Sequence, residues 1–357
     1  MANLLEYLER AVKDNASDLF IVAGGPVCEK LDKRFFSIGE ERVLPKDTAE
    51  LITQLYQLAN RPIKHYEEVG DDDFSFSVGG LARFRANTYR QRGSMAAVIR
   101  MVPFGVPDWR ERHIDEKRVM SLAELTDGLV LVTGTAGSGK STTQACIIDR
   151  INQNRAGHII TLEDPIEYLH RNNKSIVSQR EIAIDTEDYL SALRACLRQA
   201  PDVILLGEMR DYETIRTAMT AAETGHLVIA TLHTKGAVNT VDRIVDSFPG
   251  DQQGQIRAQL SMVLRTVVSQ QLIPDKNGGM VPAFEVMHVT DAIGNLIRSP
   301  DKSVQIDAAI SSGGADNMIS MDNYIFELYK AGEITRETVL EYSENKEAQE
   351  RRLLRAQ

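Results

Sequence analysis

A chain of 357 residues is long enough for two ordinary domains with separate cores, and 43% apolar with 26% charged residues is the balance of a folded globular protein, not a disordered one. No stretch approaches the roughly 18 uninterrupted apolar residues that a membrane-spanning helix needs, and the acidic N-terminal stretch lacks a basic-then-apolar leader, so a cytoplasmic location is expected. The net charge of −10 argues against a general nucleic-acid binder, which needs a basic footprint, and no nucleic-acid partner is expected.

Leu4, Leu5, Leu8 and Val12 recur at helical spacing, and LFIVAG then reads as a short strand ended by Gly24 and Gly25. DTAELITQLYQLAN is a second helical stretch. After the acidic run Asp71 to Asp73, FSFSV alternates with period two, Gly79 and Gly80 mark a turn, and LARFRANTYR alternates again, which predicts a hairpin. Residues 1–102 are expected to form a small α+β domain. Pro103 and Pro107 lack backbone donors and the charges after them show no clear apolar period, so residues 103–117 are expected as a linker.

From residue 118 to 357 the pattern turns to strand-then-helix, an α/β class. GLVLVTG, HIITLE, VILLGE and HLVIAT are continuous apolar runs, as parallel strands buried on both faces are. Between them TEDYLSALRACLRQ is amphipathic, with Tyr189, Leu190, Leu193 and Leu197 on one face. The last hundred residues read as mainly helical, including the whole of DQQGQIRAQLSMVLRTVVSQQL.

GTAGSGKST, running from Gly134 through Thr135, Ala136, Gly137, Ser138, Gly139, Lys140 and Ser141 to Thr142, matches in full the pattern GxxxxGK followed by Ser or Thr. Its glycines let the backbone fold tightly and aim successive N–H groups at phosphate oxygens. Lys140 supplies a cation for the β- and γ-phosphates, Ser141 offers a hydroxyl to Mg²⁺, and the following helix points its positive dipole end at the anion. A buried strand before the loop and a helix after it give the required context, so ATP with Mg²⁺ is the expected ligand.

HIITLEDPIEYLH ends its strand with Glu163 and Asp164, followed by Pro165 and Glu167; VILLGEMRD ends another with Gly207 and Glu208. Strand ends beside such a loop face the nucleotide in an open α/β sheet, where a carboxylate can orient water or hold Mg²⁺ through water. Gly207 stands where the usual pattern has aspartate, which leaves the metal side to Glu208. The plainer alternative is that these acids are solvated strand ends. His226 and His233 flank one apolar strand and lie on the order of 20 Å apart, so they cannot share a metal ion. His226 follows Gly225 where a helix should stop and reads equally as structural, whereas His233 sits where a γ-phosphate sensor is expected. Arg83, Arg85 and Asn87 share one face of the predicted hairpin, and Arg100 ends the MAAVIR run. Either they form a solvated sheet face, or arginines of one subunit reach a neighbour's ATP.

Together, ASDLFIVAGG, GLARFRANTYRQRG, GTAGSGKSTT, IITLEDPIEYLH, PDVILLGEMRD and TGHLVIATLHT, in that order, resemble the PilT-type retraction ATPases of the secretion ATPase superfamily over nearly the whole length. The resemblance implies a PAS-like N-terminal domain, a RecA-like P-loop ATPase domain with a helical C-terminal tail, assembly as a homohexamer, and a nucleotide between the two domains. It also implies work on an inner-membrane platform protein of the type IV pilus machinery, at the inner face of the cytoplasmic membrane, powering retraction and twitching motility. Carried over, Lys140 and Ser141 bind nucleotide and Mg²⁺, Glu163 activates water and Glu208 supports the metal, partly through water. His226 and His233 couple nucleotide state to the domain interface, and Arg85 and Arg100, with Arg83 beside them, match the family's arginines.

Phe20 stands where the family commonly shows histidine, and AIGNLIRS (292–299) has Gly294 and Ser299 where the retraction motif has arginine and glutamate. Cys28, Cys146 and Cys196 form neither a disulfide framework nor the four-cysteine zinc clip usual in the assembly and secretion branches. A related secretion or pilus-assembly ATPase, a DNA-translocating ring and a scaffold that binds nucleotide only to assemble are the competing expectations.

Overall fold

The computed structural model describes residues 3–31, 34–102, 105–302 and 305–355. The chain divides into two compact units, Met1–Gly105 with Glu167–Leu169, and Val106–Ile166 with His170–Gln357.

The first unit contains α1 (Leu4–Lys13), β1 (Asp18–Ile21), β2 (Val27–Leu31), β3 (Arg34–Ile38), α2 (Pro45–Leu58), α3 (Lys64–Val69), β4 (Asp71–Val78), β5 (Ala82–Gln91) and β6 (Ser94–Val102). Its strands form one antiparallel sheet in the order β3-β2-β1-β6-β5-β4. Leu4 and Leu8 of α1 and Leu51, Ile52 and Leu55 of α2 pack with Phe74, Phe76, Phe84 and Ala86 of the hairpin. The two-residue period of β4 turns Asp72 inward and Asp73 outward. Asp72 then accepts two hydrogen bonds from Arg61 at 2.9 Å and one from the Tyr56 hydroxyl at 3.0 Å, which satisfies a carboxylate that burial would otherwise penalise.

The second unit is built on β7 (Gly128–Thr133), α4 (Lys140–Asn154), β8 (His158–Glu163), β9 (Ile176–Glu181), α5 (Tyr189–Cys196), β10 (Val203–Leu206), α6 (Tyr212–Glu223), β11 (Leu227–Leu232), α7 (Ala237–Asp246), α8 (Gln253–Val263), β12 (Leu264–Pro274) and β13 (Met280–His288). The C-terminal helices α9 (Asp291–Arg298), α10 (Gln305–Ser312), α11 (Met321–Lys330), α12 (Arg336–Tyr342) and α13 (Lys346–Arg355) follow. The sheet runs β13-β12-β7-β11-β10-β8-β9, parallel except for the antiparallel edge strand β13. Along β7, Leu129 and Leu131 enter one core, with α5 to α8, while Val130 and Val132 enter the other, with α4 and α11. A strand that feeds two cores cannot alternate with polar residues, which is why the four apolar runs are continuous.

Two expectations need correction. The stretch expected as one long helix stops at Val263, and LRTVVSQQL, from Leu264, belongs to β12. Its neighbours Val267 and Val268 are buried in opposite cores, which a strand between β7 and β13 permits and one face of a helix does not. In α5 the buried face is Ala192, Leu193 and Cys196, with Tyr189 and Leu197 only partly covered against it. In the region expected as a linker, Pro103 lies outside the described residues, while Ile114 is buried and Trp109 is stacked under Arg110 and Arg150 in the second unit.

Glu285 of β13 is 6% exposed and accepts a hydrogen bond from the Ala237 amide, the first of α7, at 2.8 Å. Burial pushes its carboxyl up to about 7; the Ala237 and Met321 amides oppose this, and Glu344 and Asp307 add to it. Because the folded pKa lies above the unfolded 4.5, the unfolded chain releases this proton first, and stability falls as pH rises from about 4.5 to 7, then levels. Glu285→Gln, which keeps an acceptor for Ala237, is expected to leave urea stability at pH 4.5 unchanged. At pH 8 it should raise stability by up to roughly 3 kcal/mol. An equal effect at both pH values would disprove the shift.

Candidate active site

At the carboxyl end of β7 the chain turns through Gly134 (φ 142°) into the loop that precedes α4. A Cβ at Gly134 would fall on the carbonyl oxygen of Gln270 in β12 and 2.6 Å from Ser138 Oγ, so the loop lies flush on the neighbouring strand and admits no side chain there. Gln270 also anchors the helix, its Oε1 accepting from Thr143 Oγ1 at 2.7 Å. The N-cap of α4 is Gly139, with no side-chain cap, which leaves first-turn amides directed at an incoming anion. Lys140 is 8% exposed and its ammonium donates to the carbonyls of Gly134 at 2.9 Å and Thr135 at 3.0 Å.

Across the carboxyl edge of the same sheet, Glu163 ends β8. Its Oε1 accepts from Thr161 Oγ1 at 2.6 Å and Gln179 Nε2 at 3.1 Å, and the Asp164–Pro165 bond that follows is cis. Gln179 is itself held, its Oε1 accepting from the His170 amide at 2.8 Å. Glu208 follows β10 with its side chain 12% exposed; Oε1 pairs with Arg210 at 2.5 Å and Oε2 lies 3.6 Å from His233 Nε2. The Thr231 hydroxyl donates to the Gly207 carbonyl and the Met209 amide donates to the Thr231 carbonyl at 3.1 Å, tying the Glu208 turn to β11.

His233 therefore joins the acidic group and His226 does not. His226 sits at the amino end of β11, where its Nδ1 donates to the Ala221 carbonyl at 3.0 Å and completes the end of α6. Gly207 is explained by a close approach: a Cβ there would come 2.7 Å from Tyr189 Oη and 3.2 Å from the Leu162 carbonyl oxygen. Sequence reasoning missed Tyr189, Gln179 and Gln270 as site residues, since none belongs to a motif. Glu167 groups with the first unit.

In that first unit, β5 and β6 set Arg85 directly opposite Arg100. Arg85 is paired bidentately with Asp73 at 2.6 and 3.0 Å, and Arg100 with Asp18 at 2.9 Å. Arg83 lies two residues along β5 from Arg85, on the same, partly exposed face.

Among the described residues no group of three or more His, Cys, Asp or Glu side chains could hold a metal ion, and no helix is long and apolar enough to cross a membrane. A hydroxyl at the start of α4 and a carboxylate after β10 are instead a donor set suited to an ion that arrives on a phosphate chain. Such a loop at the edge of a parallel sheet, with acids on the strands beyond it, defines a P-loop ATPase.

The chain belongs to the type II/IV secretion system protein family, whose model matches residues 2–351. It is 44% identical over 342 residues to the type IV pilus retraction ATPase PilT of Pseudomonas aeruginosa, covering 95% of this chain and 97% of that one. It is 42% identical to a twitching motility protein of Neisseria gonorrhoeae over 85% of this chain and 82% of that one. The crystal structure of the pilus retraction motor PilT with bound ADP superposes with a TM-score of 0.90 at 44% identity, over 98% of this chain and all of that one.

Proposed function

We propose that this chain is the ATP-hydrolysing subunit of a homohexameric motor that retracts type IV pili from the cytoplasmic face of the inner membrane, acting on a platform protein of the pilus machinery. The observation that carries the reading is Lys140, folded into its own loop after β7 on the same sheet edge on which Glu163 and Glu208 stand.

In this mechanism the loop from Gly134 to Thr142 wraps the phosphates with main-chain amides, and Lys140 exchanges its two carbonyl partners for phosphate oxygens. Mg²⁺, when bound, neutralises charge on the phosphates; Ser141 and, through water, Glu208 are the residues suited to hold it. Glu163 orients the attacking water. The hydrogen bonds from Thr161 and Gln179 fix its carboxylate in place to meet that water. His233, beside Glu208, senses loss of the γ-phosphate, and Arg85 and Arg100 of one subunit stabilise charge at a neighbour's ATP.

Purified protein with Mg²⁺ and ATP should release phosphate, and deletion of the gene in its own organism should give hyperpiliated cells that do not twitch. Bald cells would assign the motor to assembly instead, and a protein without phosphate release would end the motor reading.

A further inference from the structure

Tyr189 has no part in the chemistry assigned above, yet it stands among the groups that carry it. Asp188 caps α5, accepting from the Ser191 amide at 2.7 Å, and so fixes Tyr189 as the first residue of the helix. Its ring packs against the core that contains Leu162 and Leu206, the buried residues near the ends of β8 and β10. Its hydroxyl reaches those strand ends. A Cβ built on Gly207 would meet Tyr189 Oη at 2.7 Å, the Leu162 carbonyl oxygen at 3.2 Å and Glu163 Cα at 3.4 Å, so the phenol oxygen occupies the space a side chain at 207 would need. Glu163, Asp164 and Glu208 all project from this place. Burial first, then the charges of Glu208, Asp164 and Glu163, hold the phenol well above its ordinary range against the opposing pull of Arg210. The hydroxyl keeps its proton and remains a donor.

Arg210 already pairs with Glu208, and a neutral hydroxyl beside these strand ends can donate to a carboxylate without adding a further charge. We propose that Tyr189 is a positioning residue for ATP hydrolysis, its hydroxyl the neutral donor available to a carboxylate at the ends of β8 and β10 once nucleotide and the attacking water are in place. This role rests on the ATPase reading. It also gives Gly207 a purpose, since any side chain there would displace the hydroxyl.

Tyr189→Phe keeps the ring and removes only the oxygen. The expected result is a kcat lower by about tenfold, the scale of one hydrogen bond to a charged group, with KM for ATP and affinity for ADP unchanged, because the phosphate loop is untouched. Unchanged kcat, or ADP affinity falling in step with kcat, overturns the proposal. A second readout needs no nucleotide. Gly207→Ala should lower the melting temperature, and lower it less in the Tyr189→Phe background, where the methyl no longer meets an oxygen; equal losses in both backgrounds overturn the placement of the hydroxyl. Absence of turnover in the unmodified protein would sink the ATPase reading and this role with it, whereas normal turnover that Tyr189→Phe leaves intact would sink this role alone.

Discussion

Lys140→Ala is expected to cut ATP turnover by about 100-fold or more, the scale seen when one preorganised cation or donor is removed from a charged transition state. The lysine is buried to 8% exposure and bound to the carbonyls of Gly134 and Thr135, so the substitution has two effects. It removes the charge meant for the phosphates, and it leaves two loop carbonyls without their donor, loosening the main chain that should cradle the nucleotide. ADP affinity should therefore fall along with turnover. Calorimetric titration with ADP and a phosphate-release assay, with melting curves to confirm folding, check this; wild-type turnover in the variant would refute the placement of the phosphates.

Glu163→Gln should give a different signature. Glutamine retains an oxygen that accepts from Thr161 and Gln179, so the side chain keeps its position while losing its charge. Hydrolysis is expected to drop by roughly 10² to 10⁴, with ADP affinity unchanged. Such a variant would trap ATP without turning it over. If it hydrolyses at the wild-type rate, the water is ordered elsewhere, and Glu208 becomes the first alternative.

Much of this site was legible in the sequence because its parts obey local rules. A phosphate loop must be contiguous, and parallel strands sandwiched between two helical layers must be apolar throughout, so β7, β8, β10 and β11 stood out, β8 and β10 with their terminal acids. The hairpin β4–β5 declared itself by period-two alternation, which also put Arg83 and Arg85 on one face. Failures came where the deciding contact is distant in the chain. Ile256, Leu260, Val263 and Val267 continue a helical period past the true end of α8, and only pairing with β7 and β13 makes the later part a strand. For His226 the sequence left a structural and a functional reading open, and only the contact with the end of α6 decides for the former, while a carboxylate claims His233. Gly207 looked like a defect in a motif until the hydroxyl of Tyr189, eighteen residues earlier, filled the space above it.

The opposed arginines of β5 and β6 carry one more implication. Neither is a vacant cation waiting for an anion, since each already rests on an aspartate. Recruiting either to a phosphate is thus a swap of one counterion for another, and the driving force is only the difference between the two. Arg100 is 67% exposed but Asp18 only 7%, so the swap leaves a buried carboxylate with the Ser17 hydroxyl alone, and Asp18 holds its arginine more firmly than a surface pair would.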